Sequence, residues 1–335
     1  MWFRKKQFVS GVLGKEPEDP RNYNLCDIQP EAVELPEEFL LMNKMSPIGR
    51  QHYGSCTAWA ATGVKEYLDN KEYNRIINLS EKFVYHNTKK ISQIFSTEGD
   101  YVKNALSSVC KYGAPLLEDY PDTKEKNWET YVKQEPSPEI YKKAEKYKGG
   151  TYWVVGNSLE QYLQAIKQQN APVVFSMMWY KSYRKPAIDG KLPFPDTQLG
   201  GHAISCVGWT KDKLWFRNSH DLSWGYNGYA HIPFNEFSKH DIWNSWVLTD
   251  HPRPKEITGW AAETYLAKAK KFSINEEVKS TTPSLRIREN PTTQSNVLGS
   301  LKKDERAIIV DDKDNGISAN EHRWWRIKVT VDSKQ

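Results

Sequence analysis

The chain has 335 residues, with 47 Lys and Arg against 42 Asp and Glu, a net charge of +5 and a mean hydropathy of −0.75. That length suits two domains rather than one, and no apolar run approaches the roughly 18 residues a membrane span needs, so no span is expected. The mild charge gives no electrostatic case for nucleic acid as a partner.

The opening MWFRKKQFVSGVLG is basic, but its apolar stretch is short and broken. It lacks a cleavable signal pattern, which predicts a cytoplasmic protein or one released without a cleaved signal peptide. Residues 1–44 read as an extended leader segment, whose stretch 15–38, rich in Pro and Glu, is expected to lie on the surface. Helices follow. Ser55 can cap a helix whose face carries Trp59, Gly63, Val64, Tyr67 and Leu68, and Ser80 can cap the next. DYVKNALSSVCKYG puts Tyr101, Val102, Ala105, Leu106, Val109 and Cys110 on one stripe that Gly113 ends. Ser158 and Gln161 form a capping-box pattern. The period then shortens: PVVFSMMW, HAISCVGW, KLWFRNS and GYAHI read as strands. Helices first and strands later predict an α+β class with two lobes. HPRPKE, starting at His251, reads as a linker to a small all-β remainder.

The four cysteines, Cys26, Cys56, Cys110 and Cys206, form no CxxC pair, so neither a zinc site nor another metal site is expected, and no disulfide. Cys206 and Cys110 fit core positions. Cys56 heads its helix, where unpaired N–H groups and the helix dipole favour a thiolate. A nucleophilic thiolate needs a partner base. His202, in LGGHAISCVGW, follows paired glycines that leave room for a substrate backbone. Asn218, after the next strand, can orient that imidazole. The Gln51 side chain and the Cys56 N–H can bind an oxyanion. His52, His86, His231, His240, His251 and His322 read as surface or loop residues.

These segments resemble the papain family of cysteine peptidases over about residues 17–250, in a bacterial-type form carried by GSCTAWA. The order Gln, Cys, His, Asn matches, with His202 and Asn218 following Cys56 by 146 and 162 positions. LSEKFVYH, ALSSVCKYGAPLLEDYPD and NSHDLSWGYNGYAHI resemble further family segments. Four departures stand out. Gln51 lies five residues before Cys56 where six is usual. The family's cysteine just upstream of the nucleophile is absent, and its disulfide with it. Glu98-Gly99-Asp100 replaces NGG, and His220 stands where the family has a Trp beside the His–Asn pair.

The resemblance implies a two-lobed catalytic domain over 45–250, a helical lobe plus a β-barrel lobe, hydrolysing protein or peptide substrates. Cys56 would be the nucleophile, His202 its proton partner, Asn218 the orienting group and Gln51 an oxyanion donor, with no metal or organic cofactor. Gly99, Asp100, Gly201, Ala203, Met177 and Trp224 are the expected substrate-binding residues, Asp100 also favouring a basic side chain. A cell-wall peptide hydrolase of Cys-His type and an inactive papain-like binding protein share parts of the pattern. With only about 45 residues before the catalytic core, any latency must come from something shorter than a long pro-segment, or from a partner.

LRIRENPTTQSNVLGSLKKDERAIIV and RWWRIKV resemble bacterial SH3-like domains. This implies a small barrel over 251–335 with a cell-wall or protein ligand. Its last strand is missing after Val331, so 258–266 is expected to pair with 324–331 as a permuted closing strand. A monomer is expected.

Overall fold

The computed structural model describes residues 11–19, 22, 24–28, 31–123 and 127–250, and beyond them the strands named below with 275, 281–282 and 303. The chain divides into two compact units, Met1–His251 and Pro252–Gln335.

In the first unit, the leader forms α1 (Leu25–Ile28) and β1 (Glu38–Leu40). Helices α2 (Cys56–Tyr73), α3 (Glu81–Ser92), α4 (Val102–Tyr112), α5 (Trp128–Lys133) and α6 (Pro138–Ala144) follow. Then come β2 (Tyr152–Val155), α7 (Leu159–Gln169), β3 (Val173–Tyr180), β4 (Gln198–Thr210), β5 (Lys213–Arg217), β6 (Tyr229–Pro233) and β7 (Ile242–Leu248). The seven strands make one antiparallel sheet, ordered β2-β7-β3-β4-β5-β6 with β1 on β4.

The expected caps form. Ser80 accepts from the Phe83 N–H at the head of α3, and Ser158 with Gln161 closes a capping box on α7. Gly113, at φ 76°, ends α4 in a conformation that costs other residues a Cβ clash. Ser55 differs: it precedes α2, but its hydroxyl donates to the His52 carbonyl at 2.6 Å, bracing the turn before the helix instead.

Helix α2 is buried on nearly all sides, not on one stripe. Its charged residues are therefore paired internally, as burial demands. Lys65 donates to Asp69 and Asp250 at 2.8 and 2.9 Å, and Glu66 accepts from the Leu79 N–H and the Ser46 hydroxyl. Three histidines expected at the surface are also buried: His86, His231 and His240. His86 is held by the Val132 carbonyl at 2.8 Å and His240 by the Tyr183 hydroxyl at 2.5 Å, so polar partners let them leave water.

Cys206 is buried and Cys110 partly so, and all four cysteines are free thiols. Among the described residues, no helix is long and apolar enough to cross a membrane.

The second unit is all-β: β8 (Lys255–Ala262), β9 (Leu266–Ala267), β10 (Glu277–Ser280), β11 (Leu285–Arg288), β12 (Val297–Leu301), β13 (Arg306–Asp311), β14 (Ile317–Ala319) and β15 (His322–Val331). Its order is β12-β11-β8-β15-β13-β10-β9, with β14 on β15. Among the described residues no pair joins β12 to β9, so the described strands form an open path. Strand β8 lies antiparallel to β15, Ala262 opposite Trp324 and Lys255 opposite Val331. Residues 263–265, within the segment proposed as a closing strand, lie outside the described residues. Ala261, Val278, Leu285, Ile287, Ala307, Ile309, Trp325 and Ile327 form its core.

Candidate active site

Cys56 is the first residue of α2, and its backbone N–H is one of the groups a helix start leaves without an intrahelical partner. The helix end abuts β4, whose Ala203 N–H donates to the Cys56 sulfur at 3.4 Å. His202, one position earlier on β4, is fully buried and lies opposite Met177 of β3. Arg217 ends β5 opposite Ser205 of β4, which carries Asn218 to the side of His202. His202 Nε2 donates to Asn218 Oδ1 at 2.8 Å. That bond leaves Nδ1 as the ring nitrogen available for a proton partner.

Asn218 is itself over-determined. Its Oδ1 also accepts from the Ser219 N–H at 2.8 Å, and its Nδ2 donates to His220 Nδ1 at 3.1 Å. The His220 ring stacks on that of His202, and Trp179 meets the His202 ring at 4.5 Å between centroids. Trp224 is buried behind His220, its indole N–H donating to the Tyr183 carbonyl at 2.8 Å.

Gln51 is tied to the same corner. Its N–H donates to the Ser219 carbonyl at 2.9 Å and its Oε1 accepts from the Ser219 hydroxyl at 2.6 Å. One side-chain N–H goes to the Tyr53 carbonyl at 3.0 Å. The short loop to Cys56 turns at Tyr53 with φ 57°.

The leader supplies what the sequence did not suggest. Gly11 and Val12 are buried in the cleft between Asp100 and Gly201, not on the surface. The Gly11 and Val12 N–H groups donate to the Gly201 carbonyl at 3.2 and 3.3 Å. The Asp100 N–H donates to the Gly11 carbonyl at 3.1 Å, and the Leu13 N–H returns to the Asp100 carbonyl at 3.4 Å. A Cβ on Gly11 would fall 2.3 Å from the Cys56 sulfur, so only glycine fits there. The Gly11 carbonyl is thus spent on Asp100. Further along, Gly14 accepts from the Trp243 and Asn244 side chains at 3.0 and 3.2 Å, and Glu16 accepts from the Lys103 N–H of α4 at 2.9 Å. A glycine in a basic leader carries no periodic signal, which is why this strap was not legible.

Cys56 and His202 are fully buried, and burial favours neutral groups. Burial pushes the Cys56 thiol up to about 12 and His202 down to about 4, so the pair is thiol and imidazole while the strap is in place.

Gly99 also lies against the strap: a Cβ there would meet the Gly11 backbone at 3.2 Å. Asp100 offers only its main chain to the cleft. Its buried carboxylate accepts from Ser92 at 2.6 Å and Asn104 at 2.7 Å and faces Lys89 at 3.5 Å, so it is not placed to select a basic substrate side chain.

Comparisons with known proteins give the family and the fold. Residues 35–248 match the model of the papain family cysteine proteases. Mexicain from Jacaratia mexicana is 25% identical over 206 residues, covering 61% of this chain and 88% of that protein. Among solved structures, xylellain, a cysteine protease from Xylella fastidiosa, superposes with a TM-score of 0.63 at 22% identity, covering 75% of this chain and 99% of that one. Procathepsin B S9 from Trypanosoma congolense gives 0.57 at 19%, covering 72% and 86%. With the family match spanning well over half its length, the chain belongs to the papain family of cysteine proteases and is a peptidase.

Proposed function

We propose that the protein is a cysteine endopeptidase acting through a Cys56 thiolate and a His202 imidazolium. The carrying observation is the 2.8 Å bond from His202 Nε2 to Asn218 Oδ1, with the neighbouring Ala203 N–H on the Cys56 sulfur. When water returns to the open cleft, the proton passes from Sγ to Nδ1. The thiolate attacks the scissile carbonyl, and the oxyanion takes the Cys56 N–H and a Gln51 side-chain N–H. His202 gives its proton to the leaving amine, then draws one from the water that releases the acyl group. Asn218 orients the ring throughout.

An extended substrate pairs with the main chain of Asp100 and Gly201, the groups that now hold Gly11 to Leu13, a strand-addition mode. Gly99, Ala203 and Met177 border that path, and Trp224 backs its far side through His220. The strap is the source of latency: it fills the cleft with a glycine packed against the Cys56 sulfur, its carbonyl bonded to the Asp100 N–H. The all-β second unit acts as an SH3-like module for a cell-wall peptide or protein, and the chain works as a monomer.

The test is labelling by an epoxide inhibitor of thiol peptidases, followed by mass spectrometry. Modification of Cys56 with loss of peptide hydrolysis is expected. An unlabelled Cys56 in a chain freed of its strap, with hydrolysis retained by Cys56→Ala, overturns the reading.

A further inference from the structure

The edge that receives substrate backbone is a loop, residues 93–101, between α3 and α4. A loop is a poor ruler unless something fixes it. Neither this loop nor residues 50–55 before the nucleophile contains a cysteine, so whatever fixes one to the other is noncovalent.

Two side chains hold it. Lys89, in the last turn of α3, is fully buried, and its ammonium donates to the carbonyls of Ile94 at 3.0 Å, Thr97 at 2.9 Å and Gly99. An ammonium has three protons, and all three are spent on one loop. The loop is thus wrapped around the charge with these carbonyls facing inward, and Asp100 completes it as counter-ion at 3.5 Å. With Asp100's carboxylate held inward, its N–H and C=O are the groups that meet the chain lying in the cleft.

From the other side, Glu98 Oε2 accepts from the Gly54 N–H at 2.7 Å, two residues before Cys56. The Glu98 carbonyl is fixed by the Tyr85 hydroxyl at 2.5 Å, and Tyr85 by the Trp128 indole at 2.7 Å. The same Tyr85 and Trp128 rings lie 5.9 and 5.7 Å from the Lys89 ammonium. One polar cluster therefore joins the substrate edge to the nucleophile turn.

We propose that Lys89 and Glu98 are positioning residues for substrate: Lys89 shapes the loop so that Asp100 presents its main chain, and Glu98 sets that edge at a fixed reach from Cys56. The proposal rests on the peptidase reading. It concerns only substrates long enough to reach Asp100.

The test compares kcat/KM for a fluorogenic tetrapeptide amide with that for p-nitrophenyl acetate, which has no backbone to pair with Asp100, using the full chain and subtracting the rate of Cys56→Ala. The strap competes with both substrates alike, so it drops out of the ratio. In Lys89→Met and in Glu98→Ala the peptide-to-ester ratio should fall about tenfold or more, as the loss of two backbone hydrogen bonds requires. Glu98→Gln, whose amide oxygen still accepts from Gly54, should stay within about twofold of wild type. An unchanged ratio in folded Lys89→Met, or in Glu98→Ala should the lysine variant not fold, overturns the proposal while leaving the peptidase reading intact. A wild-type chain that cleaves neither substrate even without its strap removes both.

Discussion

The His220 ring lies on the His202 ring, centroids 4.7 Å apart and planes at 28°, while its Nδ1 accepts a proton from Asn218 Nδ2. Two things follow if His220 gains a proton. Its Nδ1 becomes a donor facing another donor, and a cation appears against the ring that must itself become cationic. Burial, His202 and then Arg50 all hold His220 well below the usual histidine range, which keeps it neutral. Asp221 pairs with Arg50 at 3.0 Å, and the Trp179 and Trp224 rings also lie against His220. Activity should fall as pH drops through the His220 titration, and His220→Phe should lose that acid limb. The same variant should cost about fivefold in kcat/KM at neutral pH, through the lost acceptor for Asn218. Superimposable pH profiles would refute this.

Gly11→Ala should activate the enzyme. The added methyl would meet the Cys56 sulfur at 2.3 Å and the Gly54 carbonyl at 2.8 Å, neither of which can yield, so the strap must leave. Peptide hydrolysis and iodoacetamide alkylation of Cys56 should both rise at least about tenfold, the cost of a clash worth over 1 kcal/mol. Equal rates in the two proteins would show that the strap does not restrain the site.

Glu16 makes the strap pH-dependent. Burial raises its carboxyl from an ordinary 4.5 to about 7 when docked. A group raised on docking favours docking fully below its free value and loses that contribution as pH rises through the docked value. The strap should therefore hold best below about 4.5 and loosen toward pH 7, read as rising proteolytic cleavage within residues 11–19. Glu16→Gln should flatten that dependence; a profile of the same slope would count against it.

Asp100→Leu should destabilise the chain by about 3–5 kcal/mol in denaturant titration, because it leaves the Lys89 ammonium buried without its counter-ion. It should not change the relative rates on Arg- and Leu-containing peptides, since the carboxylate does not face the cleft. A shift in that preference would return Asp100 to the role of selector.

Cys56→Ala should abolish hydrolysis and keep the fold, alanine being the best helix former. Asn218→Ala should leave measurable activity, since Asn218 orients His202 and neither attacks nor transfers a proton. Complete loss in both would mean that Asn218 does more than orient.

The helices, the main strands and the order Gln51, Cys56, His202, Asn218 were legible because each lies in a segment with its own local signal: a cap, a glycine pair or an alternating run. Charge inside the fold was not. Nothing in the local sequence marks Lys65, Glu66 and Lys89 as buried, and only the tertiary structure brings the carboxylates, carbonyls, N–H and hydroxyl groups that let them leave water. His86 and His240 likewise take their polar partners, the Val132 carbonyl and the Tyr183 hydroxyl, from distant parts of the chain. The strap was missed because main-chain hydrogen bonds have no residue signature. The inward turn of the Asp100 carboxylate was not legible because spacing places a residue on an edge without saying which way its side chain turns.

The strap is also a tethered ligand. About two dozen residues join Gly14 to β1, with Glu16 and α1 among them docked on the fold, so Gly11 competes for Cys56 at an effective concentration that dilution cannot lower, above the roughly millimolar of a short flexible link. A substrate present at micromolar concentration is outnumbered by the enzyme's own leader, however scarce the enzyme is. On the proposed latency the leader lowers turnover by the same factor at every enzyme concentration, so cutting the link, and not concentrating the enzyme, is what raises its activity.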